Sequence, residues 1–370
     1  METTMAKLVD YRDTSANLTD YPDGYTHRKR SLVPPEAQSA VHDLGRGDFG
    51  LNDRITCFRD GLAQMDAFAV PRASDEIRRI GGLYAFYSGQ SSNVFGQLRA
   101  CPRLGWLMLF HGDGYIRQAA LESLPDIPNS PFEFAAIVYR MNDWVTIVGQ
   151  AASNYAARAF QKTDAGIVAE SSFFLLEQLD VLGRLSTESR SLLTDTIYRP
   201  DVIAALRAEF LTIRSGRVAR TLRQLLRRPE FDRYLEELAR SAALPSVRAA
   251  AMETLLSGKA TWLVGHTLQK VDKIYGRCQY IPEFGSRPLE CIVDSESLLK
   301  MAAEDKAAHV RKVACDTLIA LRHSASPEMD QVALKLAADR NAAVRSRAEF
   351  YVRQRELTPD PKATGHILKG

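Results

Sequence analysis

The sequence is poor in residues that build covalent or metal frameworks. Its five cysteines, Cys57, Cys101, Cys278, Cys291 and Cys315, are odd in number, with no Cys-x-x-Cys pair and no histidine at metal-ligand spacing. Neither a zinc site nor a disulfide framework is expected, and reduced thiols are; only Cys278 and Cys291, flanking one loop, leave a pairing open. The seven histidines are dispersed. There is no Gly-x-Ser-x-Gly nucleophile turn and no His-Glu-x-x-His. The Gly-rich stretch Gly45 to Gly50 has neither a strand before it nor Lys-Ser or Lys-Thr after it, so it reads as a linker and not a phosphate cradle. No cofactor or metal is expected, and the reading leans away from an enzyme. Apolar runs of bilayer length are absent, and Met1 to Asp20 has scattered acids without an apolar core, unlike a secretory signal. A cytoplasmic protein with no membrane partner is expected. Sustained period-two alternation is missing too, which argues against a sheet.

What is present is a recurring phrase: an aliphatic residue, usually Arg next, then an alanine-rich run. It begins at Ile116, Val247, Val310 and Val344, with a weaker copy at Val148. Counted in steps of about 32 to 34 residues, these origins stand one, three, two and one steps apart, a period that suits one antiparallel helix pair with its turns. The helices can be placed from period and punctuation: Pro131 to Arg140, Trp144 to Phe160, Ile167 to Leu182, Ser189 to Tyr198, Pro200 to Leu211, Val218 to Arg228, Phe231 to Ala242, Ser246 to Leu256, Ser295 to Ala303, Ala308 to Leu321, a helix opened by Pro327, and Ala342 to Arg355. A hydrophobic content of 45% with 25% charged residues suits a globular chain, and a stack of repeats need not split at 370 residues.

Asp143, Asp305 and Asp339 each stand five residues before the aliphatic position. With Arg117, Arg248, Arg311 and Arg345 early in the second helix of a pair, the chain from about Asn93 to Arg355 resembles the HEAT-repeat superfamily, an armadillo-like α-solenoid. The resemblance implies that Asp143, Asp305 and Asp339 cap the second (B) helices and bond neighbouring turns, and that the arginines bridge units. Gly149 replaces an expected Arg, and Ala242 an expected Asp. The fold class expected is all-α, a right-handed superhelix of about seven to eight helix pairs. Residues 1–50 read as an irregular leader, 51–92 as an N-terminal helical cap with helices over Leu51 to Val70 and Ile77 to Tyr87, 93–356 as the solenoid with an inserted loop at 275–289, and 357–370 as a tail.

Three places could carry binding. Arg214, Arg217, Arg220, Arg223, Arg227 and Arg228 form a cationic stretch without an acid, able to meet phosphates or an acidic protein face, or to pair with Glu170, Glu177, Asp180, Glu188 and Asp195 just upstream. The inserted loop offers Arg277, Tyr280, Phe284 and Arg287, residue types that anchor interfaces. At the turn Tyr139 to Trp144, Asp143 and Trp144 with Trp106, His111 and Asp113 could form an aromatic cleft with a carboxylate, the kind of site that holds an extruded base; packing between repeats explains the same residues.

The function expected is a non-enzymatic protein-binding scaffold or adaptor, of the kind an immunity protein sequestering a toxin would be. It would use the concave B-helix face, with Arg214, Arg217, Arg220, Arg223, Arg227, Tyr280, Phe284 and Arg287 meeting a protein with an acidic face. The Ala- and Arg-rich repeats suggest a bacterial source. The alternative is a nucleic-acid-binding solenoid, for which resemblance to HEAT-like alkylpurine DNA glycosylases would make Asp113 and Asp143 the residues to test.

Overall fold

A computed structural model describes residues 31–45, 51–84, 91–272, 277–290 and 294–357. All its elements lie within the unit Leu32–Gly370. Among the described residues are 18 α-helices and two strands.

The loop-rich leader expected over residues 1–50 contains a helix, α1 (Pro35–Gly45). Pro35 opens it at the first helical position, where a missing N–H is no loss. Ala37, Ala40, Val41 and Leu44 form its buried face against α2 (Leu51–Ala63). The two backbones approach so closely that a Cβ on Gly61 would stand 2.4 Å from that of Ala37. The single helix expected over Leu51 to Val70 is broken: α2 stops at Ala63, and a 3₁₀ turn at Ala67–Ala69 leads into α3 (Val70–Ile80). Gly81 and Gly82, the latter at φ 62°, end α3, so the helix expected over Ile77 to Tyr87 is instead the last turn of an earlier one. Residues 85–87, 1–30 and most of the expected tail lie outside the described residues.

Local punctuation sets the next helices, α4 (Ser91–Ala100), α5 (Gly105–Met108) and α6 (Gly114–Ser123). Asp113 accepts the Tyr115 N–H at 2.8 Å and caps α6. Ser130 accepts the Glu133 N–H at 3.2 Å before α7 (Pro131–Met141). After α8 (Thr146–Ala159), Asp164 caps α9 (Ala165–Gln178), and Ser186 caps α10 (Thr187–Ile197). Pro200 opens α11 (Pro200–Thr212). The helix expected over Val218 to Arg228 is only α12 (Val218–Leu225); Gly216 at φ 101° precedes it and Pro229 follows. A 3₁₀ segment, Pro229–Tyr234, leads to α13 (Leu235–Ser241), and α14 (Pro245–Ser257) ends at Gly258 in the left-handed conformation, φ 65°.

The expectation of no sheet fails here. The insertion is an antiparallel hairpin, β1 (Lys259–Asp272) and β2 (Arg277–Pro288), so the loop placed at 275–289 is a strand from Arg277 onward. Alternation is weak because much of the hairpin faces water on both sides, leaving no buried face to enforce it. The signal was composition: Thr261, Trp262, Val264, Thr267 and Val271 are strand formers just after a glycine stop. Its presence also revises the repeat count. The interval Val247 to Val310 holds one helix pair plus the hairpin, not two pairs.

The chain continues with α15 (Ser295–Glu304), α16 (Ala308–Leu321), α17 (Pro327–Ala337) and α18 (Ala342–Gln354). Helices pack on near neighbours in chain order. α6 lies against α8; α14, α16 and α18 stack in succession, with α15 and α17 beside them. α9 is the hub of the middle, touching α7, α11 and α12. Phe173 on α9, Phe210 on α11, Phe231 and Tyr234 form a run of rings with centroids 5.0, 5.8 and 5.5 Å apart, each contact worth about 0.5–1.5 kcal/mol beyond the area it buries.

Candidate functional site

The charged residues of the repeat form a ladder. Arg117 grips Asp143 with Nε and Nη2 at 3.0 and 2.9 Å. Arg248 grips Asp305 at 2.8 and 2.9 Å, and Arg311 grips Asp339 at 2.6 and 2.9 Å. In each rung the remaining Nη1 donates to two carbonyls of the arginine's own turn: His111 and Gly112, Ala242 and Ala243, Asp305 and Lys306. Arg345 makes the same turn contacts with Asp339 and Arg340. The carboxylates do not cap the B helices. Asp143, Asp305 and Asp339 accept the N–H two residues on, from Val145, Ala307 and Asn341, and these are the N-cap residues themselves. They stand too early to reach the first-turn amides, so they brace the turn and receive the previous unit's arginine. Between Gly149 and Arg248 the ladder is interrupted, as the departures at Gly149 and Ala242 imply.

The aromatic-carboxylate constellation comes apart. Asp143 is buried under Arg117 and Arg140, the latter at 2.8 Å. A base or nucleophile needs a free lone pair, and these of Asp143 are engaged. Asp113 is the N-cap of α6, and the Asp113 N–H donates to His111 Nδ1 at 2.9 Å. Burial lowers the His111 pKa and keeps the ring neutral. Trp106 is in the core under the Arg59 guanidinium, 4.8 Å from the ring, while Trp144 is 75% exposed. The two tryptophans line no common cleft.

The cationic stretch divides. Arg223 pairs with Glu253 at 2.6 Å, Arg227 with Asp180 at 2.8 Å, and Arg228 with Asp195 at 2.9 Å. Their charge is spent within the fold. Arg214, Arg217 and Arg220 are exposed, with no ion pair among the described residues. Arg217 precedes α12 instead of riding on it, so no single helical ridge exists.

Arg287 is likewise an anchor within the chain. It holds Asp232 with both Nη atoms, at 2.8 and 2.6 Å, and donates to the carbonyls of Leu226 and Arg228. With Gln224 Nε2 and Arg227 Nη2 donating to the Leu263 carbonyl at 3.1 and 3.2 Å, it fixes the hairpin base to the α12 end. Trp262 lies over Gly285, where a Cβ would come within 2.6 Å of its Nε1. Beyond the base, the register sets Leu268 opposite Tyr280 and Leu263 opposite Phe284, on one face by strand alternation. Leu268, Tyr280 and Phe284 are 54%, 69% and 64% exposed, an uncovered apolar row of the kind that marks contact surfaces. Leu263 and Leu268 were missed in the sequence because β1 was missed.

A concavity of about 690 Å³ lies between the 3₁₀ turn at Ala67, α9 and the start of α12. Its carboxylates come from distant segments and have no sequence signature. Among the described residues, no group of three or more His, Cys, Asp or Glu is placed to hold a metal ion, and no helix is long and apolar enough to cross a membrane. No family model matches the chain, and no curated protein matches it in sequence.

Proposed function

We propose that this chain is a non-enzymatic, protein-binding scaffold of HEAT-like solenoid architecture, acting in the cytoplasm, and that it seizes its partner with the hairpin. The ladder supports the architecture: three rungs repeat the same four arginine contacts, two to the carboxylate of the next turn and two to carbonyls of the arginine's own turn, and α14, α16 and α18 stack as B helices would. The observation that carries the function is the apolar row Leu268, Tyr280 and Phe284, on a hairpin whose base is tied to the α12 end by Arg287, Gln224 and Arg227. Among the described residues, α14, α16 and α18 expose one large apolar side chain, Phe350, so the hairpin is the stronger contact than the B-helix face.

The partner is a protein with an apolar, acidic face. Residues 259–288 carry Lys259, Lys270, Lys273, Arg277 and Arg287 against Asp272 and Glu283, five minus two, or +3. Arg287 is neutralised by Asp232, and exposed Arg220 on α12, the helix packed against β1, adds to the remainder.

A photo-reactive residue in place of Tyr280 should crosslink one protein in a cell extract, whereas the same residue in place of Glu328 should not. With that protein purified, Tyr280→Ala with Phe284→Ala should weaken binding about 30- to 1,000-fold, the product of two anchors of about 1–2 kcal/mol each. Unchanged affinity rejects the hairpin. Capture that disappears on nuclease treatment transfers the proposal to a nucleic-acid partner.

A further inference from the structure

We propose that the outer edge of β1, from His266 to Lys270, takes up an extended segment of the partner protein as a third, antiparallel strand, and that this segment carries an apolar residue two positions from an acid. The inference rests on the hairpin being the partner contact and adds how that contact is made.

The phase of the ladder is fixed at its base. The Leu289 N–H donates to the Gly258 carbonyl at 3.0 Å, so that pair faces inward, and in an antiparallel ladder inward and outward pairs alternate. Counted along the register from there, Lys259 with Pro288, Thr261 with Ser286 and Leu263 with Phe284 face outward. Two observations agree. The Leu263 carbonyl takes its hydrogen bonds from Gln224 and Arg227, outside the hairpin. The outward positions of β2 include both of its prolines, Pro282 and Pro288, which have no N–H to give to a ladder. The extra residue of the bulge between Leu263 and Gly265 lies on β1, so β2 keeps the count. His266, Leu268 and Lys270, opposite Pro282, Tyr280 and Cys278, therefore face outward as well.

The two edges of the hairpin differ. On β2, Pro282 leaves a missing donor between Tyr280 and Phe284, a device that closes strand edges to pairing. On β1 there is no proline from Lys259 to Asp272. The N–H and C=O groups of His266, Leu268 and Lys270 have no backbone partner outside the hairpin among the described residues. The stretch lies between the two bulges of β1, so its pairing is regular, and every residue from His266 to Lys270 is exposed. An antiparallel strand laid there meets donors and acceptors in the alternating pairs that a ladder requires.

The chemistry of the added strand follows from the face it joins. Directly opposite residues share a face, and that of His266, Leu268 and Lys270 is also that of Tyr280 and Phe284. From Leu263 to Lys270 this face holds the Lys270 cation and no acid, because Glu283 lies on the other face, bonded to the Thr267 hydroxyl. The partner strand thus sets an apolar side chain beside Leu268 and a carboxylate beside Lys270. A second copy of β1 does not fit: paired antiparallel about Leu268, it puts Lys270 beside the other copy's His266 and offers neither a carboxylate.

The probe is the capped peptide Thr-Glu-Thr-Val-Thr-Glu-Thr, whose Glu, Val and Glu would lie opposite Lys270, Leu268 and His266, titrated into the full chain and followed by amide exchange. Saturable binding is expected, with exchange of the His266, Leu268 and Lys270 N–H groups slowed about tenfold or more and that of Thr267 and Gln269, already bonded to β2, unchanged. N-methylation of the valine should weaken binding at least tenfold, about 1.4 kcal/mol, while N-methylation of the next threonine, whose N–H points away, should stay within about twofold. Lys270→Glu should lose affinity for this peptide and gain it for Thr-Lys-Thr-Val-Thr-Lys-Thr, a reversal that misfolding does not produce. With the partner crosslinked through Tyr280, His266→Pro removes one outward donor and no ladder bond, and should weaken that partner about tenfold. If Tyr280→Ala/Phe284→Ala weakens the partner and His266→Pro does not, the hairpin reading stands and strand addition falls; if neither does, both fall. Strand addition is also overturned by the absence of saturable protection, by equal binding of the two N-methyl peptides, or by protection of the same three amides in the free chain at high concentration, which would assign the edge to a second copy.

Discussion

Replacing Asp305 by alanine removes one rung of the ladder, and the structure says how much that matters. The carboxylate receives two charge-assisted bonds from Arg248, at 2.8 and 2.9 Å, and the Ala307 N–H at 2.7 Å. Removing one partner of a fully buried pair costs about 3–5 kcal/mol. Both side chains here are 13% exposed, and Arg248 keeps the Ala242 and Ala243 carbonyls. The expected loss is therefore about 2–3 kcal/mol, and a cycle of Asp305→Ala, Arg248→Ala and the double variant should give a coupling of about 1–3 kcal/mol. Urea denaturation followed by helical circular dichroism reads it. The exposed pair Lys335 and Glu304, 64% and 65% accessible, is the control and should show no measurable coupling. The dependence on pH is fixed in sign. Burial pushes the Asp305 carboxyl up, but the Arg248 bonds and the Ala307 N–H outweigh it and leave the pKa low; Arg311 and Arg355 depress Asp339 and Asp330 in the same way. A depressed folded pKa means the stabilisation is complete above the unfolded value of about 4 and is lost as pH falls through the folded one. The stability advantage of wild type over Asp305→Ala should therefore shrink below about pH 4. Coupling indistinguishable from that of the exposed pair, or an advantage that grows in acid, refutes the reasoning.

Glu133 has no exposed side-chain surface and binds Arg59 through both oxygens, at 2.7 and 2.9 Å. Glu133→Ala should cost about 3–5 kcal/mol, and Arg59→Met with Glu133→Met less than that single change; a single-variant loss under about 1 kcal/mol contradicts the pairing. Gly285→Ala should displace Trp262, shifting tryptophan emission to the red and speeding amide exchange in the hairpin while the helical signal holds; unchanged emission would mean that the ring does not lie where the Cβ must go. The Cys315 thiol is fully buried, and burial pushes its pKa up to about 12. Maleimide at pH 8 should label exposed Cys57 well before Cys315, read by peptide mass spectrometry, and equal rates would show that α16 opens readily.

The helices were readable because their signals are local. Pro131, Pro200 and Pro327 open helices where Pro is harmless, Ser130 and Ser326 cap them, and α16 was placed at both ends as the second helix of the unit that carries the Val310 phrase. The errors were local as well. Residues 1–50 read as an irregular leader although Pro35 begins α1, and the exposed hairpin showed no alternation because little of it is buried. At the candidate contacts, Tyr280 and Phe284 stand in the open, but Arg223, Arg227 and Arg287 are committed to Glu253, Asp180 and Asp232. A run of arginines in one dimension does not show which acids fold back onto it.

The sequence by itself determined the helical class, the recurrence of a unit of about 30 residues and the arginines and aspartates that recur within it, because period and capping are properties of neighbouring residues. Only the tertiary structure decided who pairs with whom. The Arg-to-Asp rungs join residues 26, 57 and 28 apart, and the middle interval is doubled because a hairpin is inserted without disturbing the stack. The acid-lined cleft is more extreme, since Asp66, Glu170 and Glu209 come from three separate segments. Their shared field exists only once packing has brought those segments to one concavity.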